Sequence, residues 1–131
     1  MNNLSLEQLE NDFWGEPSFN SYVVQTAHNA RKKPLSQLSN EEIRLLIGQK
    51  IGLKHLLPIA VEKLEENIMF ETSLYEGDLL ESVLRLDKKD WNDNQSELER
   101  LTELVMNNKE QLLFGDEISN TIVEKFIGYK K

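Results

Sequence analysis

Cysteine is absent from the 131 residues of this chain. A chain without thiols forms no disulfides, has no thiolate metal ligands and has no cysteine nucleophile, which is typical of proteins in a reducing compartment. We therefore expect a cytoplasmic protein. Long apolar runs and a basic leader segment are also lacking, so we expect neither a membrane span nor a secretory signal.

Basic residues are scarce: 15 Lys and Arg stand against 23 Asp and Glu, which gives a net charge of −8. Binding to a phosphate backbone depends on cations, so nucleic acid is not expected as a direct ligand. The charge is uneven, with −4 over residues 1–30, +4 over residues 31–59 and −6 over residues 60–87. If the acidic blocks formed one surface, that surface would attract a basic partner; a solvated face that maintains solubility is the plainer alternative.

Groups suited to catalysis or metal binding are few. The two histidines, His28 and His55, are far apart in the sequence and form no metal-binding pair such as His-x-x-x-His. The acid-rich segment 87–93 lacks the glycine and the terminal glutamate of a calcium loop. We expect no enzymatic activity, no cofactor and no metal site.

Leucine dominates the apolar residues, with 21 leucines against 18 Val, Ile and Thr combined. This bias favours helices, because β-branched side chains lose rotamer freedom in a helix and leucine loses little. We predict an all-α fold: a compact single-domain bundle of about six to eight short and medium helices over residues 1–131. Residues 106–131 are predicted to form a C-terminal helical extension.

Helix starts are marked by Ser or Asp followed three residues later by Gln or Glu, which is the spacing of a capping box. Ser5 precedes Gln8, Ser39 precedes Glu42, and Asp78 precedes Glu81. Pro58 falls within a strongly periodic apolar segment, so it must lie in the first turn of that helix or kink it.

Several aromatic residues lie near predicted helix ends, where they usually close the core against loops. They are Trp14, Phe19, Tyr22, Tyr75 and Trp91. Core packing is the prediction for this group. Trp14 and Tyr75 are possible exceptions, because each is flanked by acids, as expected of an aromatic anchor in a charged interface.

A set of short motifs occurs in a fixed order along the chain. They are Leu9-Glu10, Phe13-Trp14-Gly15-Glu16-Pro17, Arg31-Lys32-Lys33-Pro34-Leu35, residues 43–53 (IRLLIGQKIGL), Leu57-Pro58-Ile59-Ala60, Tyr75-Glu76-Gly77-Asp78-Leu79-Leu80 and Val83-Leu84-Arg85. Taken together, they resemble the immunity proteins of contact-dependent growth inhibition systems over about residues 4–105.

The resemblance implies a non-enzymatic protein that neutralises the C-terminal toxin domain of a contact-dependent growth inhibition effector by stoichiometric capture. The implied partner is a basic cognate toxin domain, a ribonuclease or DNase, whose cations an acidic inhibitor can pair with. An acidic α-helical adaptor or regulatory protein that binds another cellular protein is the alternative. Partner contacts are predicted in the two acidic blocks, at Asp12, Glu16, Glu71, Tyr75, Glu76 and Asp78.

Overall fold

Helices make up nearly all of the regular structure in a computed structural model that describes residues 3–15, 21–109 and 120–128. The α-helices are α1 (Leu6–Glu10), α2 (Tyr22–Arg31), α3 (Asn40–Gly48), α4 (Leu53–Glu66), α5 (Asp78–Leu84), α6 (Gln95–Asn107) and α7 (Asn120–Gly128), with 3-10 turns at Leu35–Gln37 and Lys88–Trp91. Within these residues there is no strand, and an isolated bridge joins Ser5 to Pro34. The prediction of an all-α bundle is confirmed.

Two predicted capping boxes form the starts of α1 and α3. The backbone N–H of Ser5 donates to Gln8 Oε1 at 2.9 Å, and the Gln8 N–H donates back to the Ser5 hydroxyl. Ser39 and Glu42 make the same reciprocal pair at α3. Each box satisfies backbone donors that the first turn of a helix leaves unpaired, which explains why both helices begin where the sequence predicts.

The capping box predicted at Asp78 and Glu81 is wrong. The N-cap of α5 is Gly77, and Asp78 is the first helical residue. Gly77 has φ of +87°, a conformation that is open to glycine and strained for other residues. Asp78 does not cap its own helix, and its side chain turns back to the preceding loop.

Pro58 lies inside α4, beyond the first turn. Because proline has no N–H, the carbonyl of Lys54 loses its usual helical donor. The side-chain amide of Asn94 donates to that carbonyl at 3.1 Å, and Asn94 is buried. A side chain at the start of α6 therefore replaces the hydrogen bond that proline removes from α4.

The core is formed mainly by leucines from α3 to α6, and α3 packs against α2, α4 and α5. The last helix, α7, packs on α5 and α6, and its Val123 and Phe126 are completely buried. The Phe126 ring meets Trp91 edge to face with 6.1 Å between centroids. The predicted extension thus supplies a helix to the same core, although residues 110–119 and 129–131 lie outside the described residues.

The basic stretch over residues 31–59 forms ion pairs with both acidic blocks, residues 1–30 and 60–87. Arg31 pairs with Glu10 of the first acidic block, and Arg44 lies 3.6 Å from Asp78 of the second. These cations are neutralised within the fold. Pairing of these two arginines leaves fewer free cations on the surface to offset its acids.

Candidate partner-binding surface

Two charged side chains are almost entirely buried, and each is bonded to a segment that carries exposed residues. Arg31, at the end of α2, and Asp78, at the start of α5, are each 1% exposed. Burying a charge is costly unless it is paired and hydrogen-bonded. Arg31 obtains its partners from residues 10–14, and Asp78 obtains its partners from residues 67–77, which we call the acidic loop.

The carboxylate of Asp78 holds the acidic loop in place. The Thr72 N–H donates to Oδ1 at 2.8 Å, and the N–H groups of Ser73 and Leu74 donate to Oδ2 at 3.2 and 3.0 Å. The Thr72 hydroxyl also donates to Oδ2, and Arg44 Nε donates to that hydroxyl at 3.0 Å. One buried acid thus binds three consecutive backbone N–H groups and gives the loop a defined conformation.

This environment keeps Asp78 ionised. Burial alone would raise the pKa of the Asp78 carboxyl, but the hydrogen bonds from Thr72, Leu74 and Ser73 outweigh burial and leave the pKa below its ordinary value. Burial and the neighbouring Glu81 carboxylate raise the pKa of the Tyr75 phenol, so Tyr75 stays neutral.

The outer side of the acidic loop combines carboxylates with apolar groups. Glu71 and Glu76 are exposed, Leu74 is 61% exposed and Tyr75 is half-buried. Neither glutamate has an ion-pair partner within 4 Å in the part of the chain that the structure describes. Unpaired acids around aromatic and aliphatic groups form a surface suited to a basic protein partner.

Arg31 organises the segment that follows α1. Its guanidinium donates to the Glu10 carboxylate and to the carbonyl of Asp12, and it lies over the Trp14 ring at 4.1 Å from the centroid. Trp14 Nε1 donates to Asp12 Oδ2 at 3.1 Å. Phe13 is left 63% exposed between these two anchored residues. This segment presents the Phe13 ring beside the exposed Asp12, whose carboxylate also lies 4.0 Å from Arg31 Nη2.

The structure brings four of the six predicted contact residues together. Glu71, Tyr75 and Glu76 share the surface of the acidic loop, and Asp78 lies beneath it. In this conformation the Asp78 carboxylate cannot reach a partner directly, because its oxygens are buried and occupied by loop N–H groups. Asp78 fixes the backbone of the loop that carries the other three residues.

The remaining two predicted residues belong to the first acidic block. Asp12 is exposed and lies in the segment anchored by Arg31, whereas Glu16 lies outside the described residues. Sequence reasoning missed Phe13 and Leu74 as exposed apolar groups. Their position beside acids was the available signal, but an apolar residue near a helix end is normally assigned to the core.

Core packing is confirmed for only part of the aromatic group. Trp91 is completely buried, but Tyr22 is 66% exposed and its hydroxyl donates to Glu41 at 3.1 Å. Trp14 is partly exposed and stacks against Arg31, as described above. Phe19 lies outside the described residues. Exposed Tyr and Trp are common anchors of protein interfaces.

His28 makes two local contacts. His28 Nδ1 lies 3.2 Å from the carbonyl oxygen of Gly15, and its ring meets Trp14 edge to face with 5.0 Å between centroids. Among the described residues, no three His, Asp or Glu side chains are grouped to hold a metal ion. No helix in the described ranges has the length and apolar character needed to cross a membrane.

A family model described as CDI immunity proteins matches residues 8–101, which is more than two thirds of the chain. The chain belongs to the CDI immunity protein family. Searches of curated proteins and of solved structures found no match. The matched region of this CDI immunity protein runs from α1 into α6 and includes both anchored segments.

Membership of the family establishes the general activity. CDI immunity proteins are non-enzymatic and bind toxins, so this chain is a binding protein and not an enzyme. Its general role is toxin neutralisation.

Proposed function

We propose that this CDI immunity protein acts in the cytoplasm by capturing, one to one, the C-terminal toxin domain of its effector, and that this toxin is a nuclease with a basic active-site groove. Family membership supports toxin binding. The observation that carries the proposed mechanism is the acidic loop, whose exposed carboxylates have no partner among the described residues and whose backbone is bonded to Asp78.

A nuclease must present cations to the phosphates of its substrate, and carboxylates can occupy the same positions. Glu71 and Glu76 are the acids that take this role, and Asp12 adds a carboxylate from the segment held by Arg31. Leu74 and Tyr75 supply apolar area that loses its water on binding, which is the usual source of affinity in a protein interface. Because Asp78 already holds the backbone of residues 72–74, binding costs less additional conformational entropy there.

The test is a double charge reversal, Glu71→Lys with Glu76→Lys. The matched control is Glu99→Lys with Glu103→Lys, which changes the same charge on exposed residues of α6. Association with the C-terminal toxin domain of the effector encoded beside this protein is followed by surface plasmon resonance at low and high salt. We expect the loop variant to bind about tenfold more weakly or worse, mainly through slower association and with a smaller salt dependence.

The control should bind within about threefold of the unaltered protein, because exposed charges away from an interface have little effect on stability or contacts. Equal weakening by both variants would show that net charge alone matters. Unchanged binding by the loop variant, with the unaltered protein binding tightly, would exclude the acidic loop from the interface.

A further inference from the structure

A second surface feature, separate from the outer face of the acidic loop, is a cleft beside the N-terminal half of α3 and the middle of α4. Its volume is about 270 Å³. Its apolar lining consists of Leu35, Leu38 and Ile43, which are buried, and Ile59, which is half-buried. This volume is close to the lower end of the roughly 300–1,000 Å³ common for small-ligand pockets, and a cleft of this size can also take one long protein side chain.

The mouth of the cleft is acidic. Glu62 and Glu66 are one turn apart on α4 and therefore project from the same side of that helix. Both are exposed, and neither has an ion-pair partner within 4 Å in the described ranges. Lys63 also lines the cleft, but its ammonium lies over the Phe70 ring at 5.6 Å.

We propose that this cleft binds one Lys or Arg side chain of the toxin domain, with the aliphatic stem against the apolar lining and the cation between Glu62 and Glu66. The proposal rests on the proposed toxin-binding function and extends its contact surface. Long cationic side chains bury their stems on apolar surface while their charged heads stay in a polar environment. An apolar cleft with two carboxylates at its mouth matches both parts of such a side chain.

The cleft adjoins the acidic loop. Helix α4 ends at Glu66, and the loop begins at the next residue. The Lys63 ammonium of the cleft wall lies over the Phe70 ring of the loop, so the cleft and the loop are neighbours on the surface. A toxin domain seated on the loop would therefore lie beside the cleft.

Two variants test the cleft without replacing a core residue. Ser36→Trp places an indole at an exposed position of the cleft lining, and Gln37→Trp is its control in the same 3-10 turn, outside the lining. Glu62→Gln with Glu66→Gln removes the charge at the mouth and keeps the side-chain shape. Circular dichroism and thermal melts check that each variant folds. If Ser36→Trp does not fold, the affinity of the glutamine pair alone tests the cleft proposal.

Titration calorimetry with the toxin domain gives the affinities. We expect Ser36→Trp and the glutamine pair each to weaken binding about tenfold or more. The combined variant should lose less affinity than the product of the two separate losses, because both changes disrupt the same contact. Methyl NMR signals of Leu35, Leu38 and Ile59 should shift when the toxin domain is added to the unaltered protein.

Other results would overturn the cleft proposal, the identity of its occupant or the proposed function, as follows. Tight binding by the unaltered protein, with cleft variants within about threefold of it, overturns the cleft proposal and leaves the proposed function standing. Weakening by Ser36→Trp alone overturns the assignment of a cationic occupant. No binding by the unaltered protein overturns the proposed function and the cleft proposal together.

Discussion

Replacing Asp78 by asparagine tests whether one buried carboxylate holds the acidic loop. The aspartate accepts three backbone N–H groups and the Thr72 hydroxyl through its two oxygens. Asparagine has one acceptor oxygen. If the asparagine oxygen takes the position of Oδ2, the asparagine NH₂ group takes the position of Oδ1. In the unaltered protein, Oδ1 accepts from the Thr72 N–H at 2.8 Å, so in the variant two donors would face each other there.

The expected cost follows from these contacts. One backbone donor loses its acceptor, which costs about 1–3 kcal/mol for a buried group, and the three remaining bonds lose the strengthening supplied by a charged acceptor. Arg44 loses its carboxylate at 3.6 Å but is partly exposed and can bind water instead. We predict that Asp78→Asn lowers the free energy of unfolding by about 3 kcal/mol near neutral pH. Because domains are usually stable by about 5–15 kcal/mol, the variant should still fold.

The pH dependence gives a second readout of the same contact. The folded pKa of Asp78 is lowered, so its contribution is fully present above the unfolded pKa of about 3.9 and is lost as the pH falls through the lower folded value. The stability difference between Asp78→Asn and the unaltered protein should therefore be constant above about pH 5 and shrink below about pH 4.

Urea unfolding followed by circular dichroism at about pH 3 to 7 measures both the loss of stability and its pH dependence. This range spans about one pH unit below and several above the ordinary Asp pKa. Glu76→Gln is the matched control, since it removes the same charge from an exposed neighbour; we expect it to change stability by less than about 0.5 kcal/mol. A cost below about 0.5 kcal/mol for Asp78→Asn, or a difference that does not change with pH, would refute this account of the loop.

Two further predictions concern the framework. Asn94→Ala removes the donor to the Lys54 carbonyl and should cost about 1–3 kcal/mol in urea unfolding. In a Pro58→Ala background, the new backbone N–H of residue 58 can donate to the Lys54 carbonyl, so Asn94→Ala should cost about 1 kcal/mol less there. An equal cost of Asn94→Ala in both backgrounds would contradict the role given to Asn94. Phe126→Ala should cost about 3–5 kcal/mol, because the ring is fully buried against Trp91. A loss below about 1 kcal/mol would show that α7 adds little to the core.

The helices could be predicted where a local pattern determines them. The boxes of Ser5 with Gln8 and Ser39 with Glu42 depend on residues three apart, and both form as predicted. The burial of Trp91 was also predicted, because aromatic residues near helix ends usually close the core against loops.

The buried charges were not predictable in the same way. The burial of Arg31 depends on a carboxylate and a carbonyl about 20 residues earlier in the chain. Asp78 has the spacing of a capping residue, yet its partners are N–H groups of the preceding loop. Every residue type except proline has similar backbone N–H and C=O groups, so a sequence pattern does not indicate which of them a buried side chain will bind. These contacts are therefore visible only in the folded structure.

The central claim is that this CDI immunity protein captures its toxin domain through an acidic surface. The most direct test is calorimetric titration with the C-terminal domain of the effector encoded beside it, at about 50 and 500 mM salt, where charge screening differs severalfold. We predict a one-to-one complex with a Kd in the nanomolar range or below at low salt, and clearly weaker binding at high salt. Tight binding that does not change with salt would contradict electrostatic capture, and no binding would contradict the proposed function.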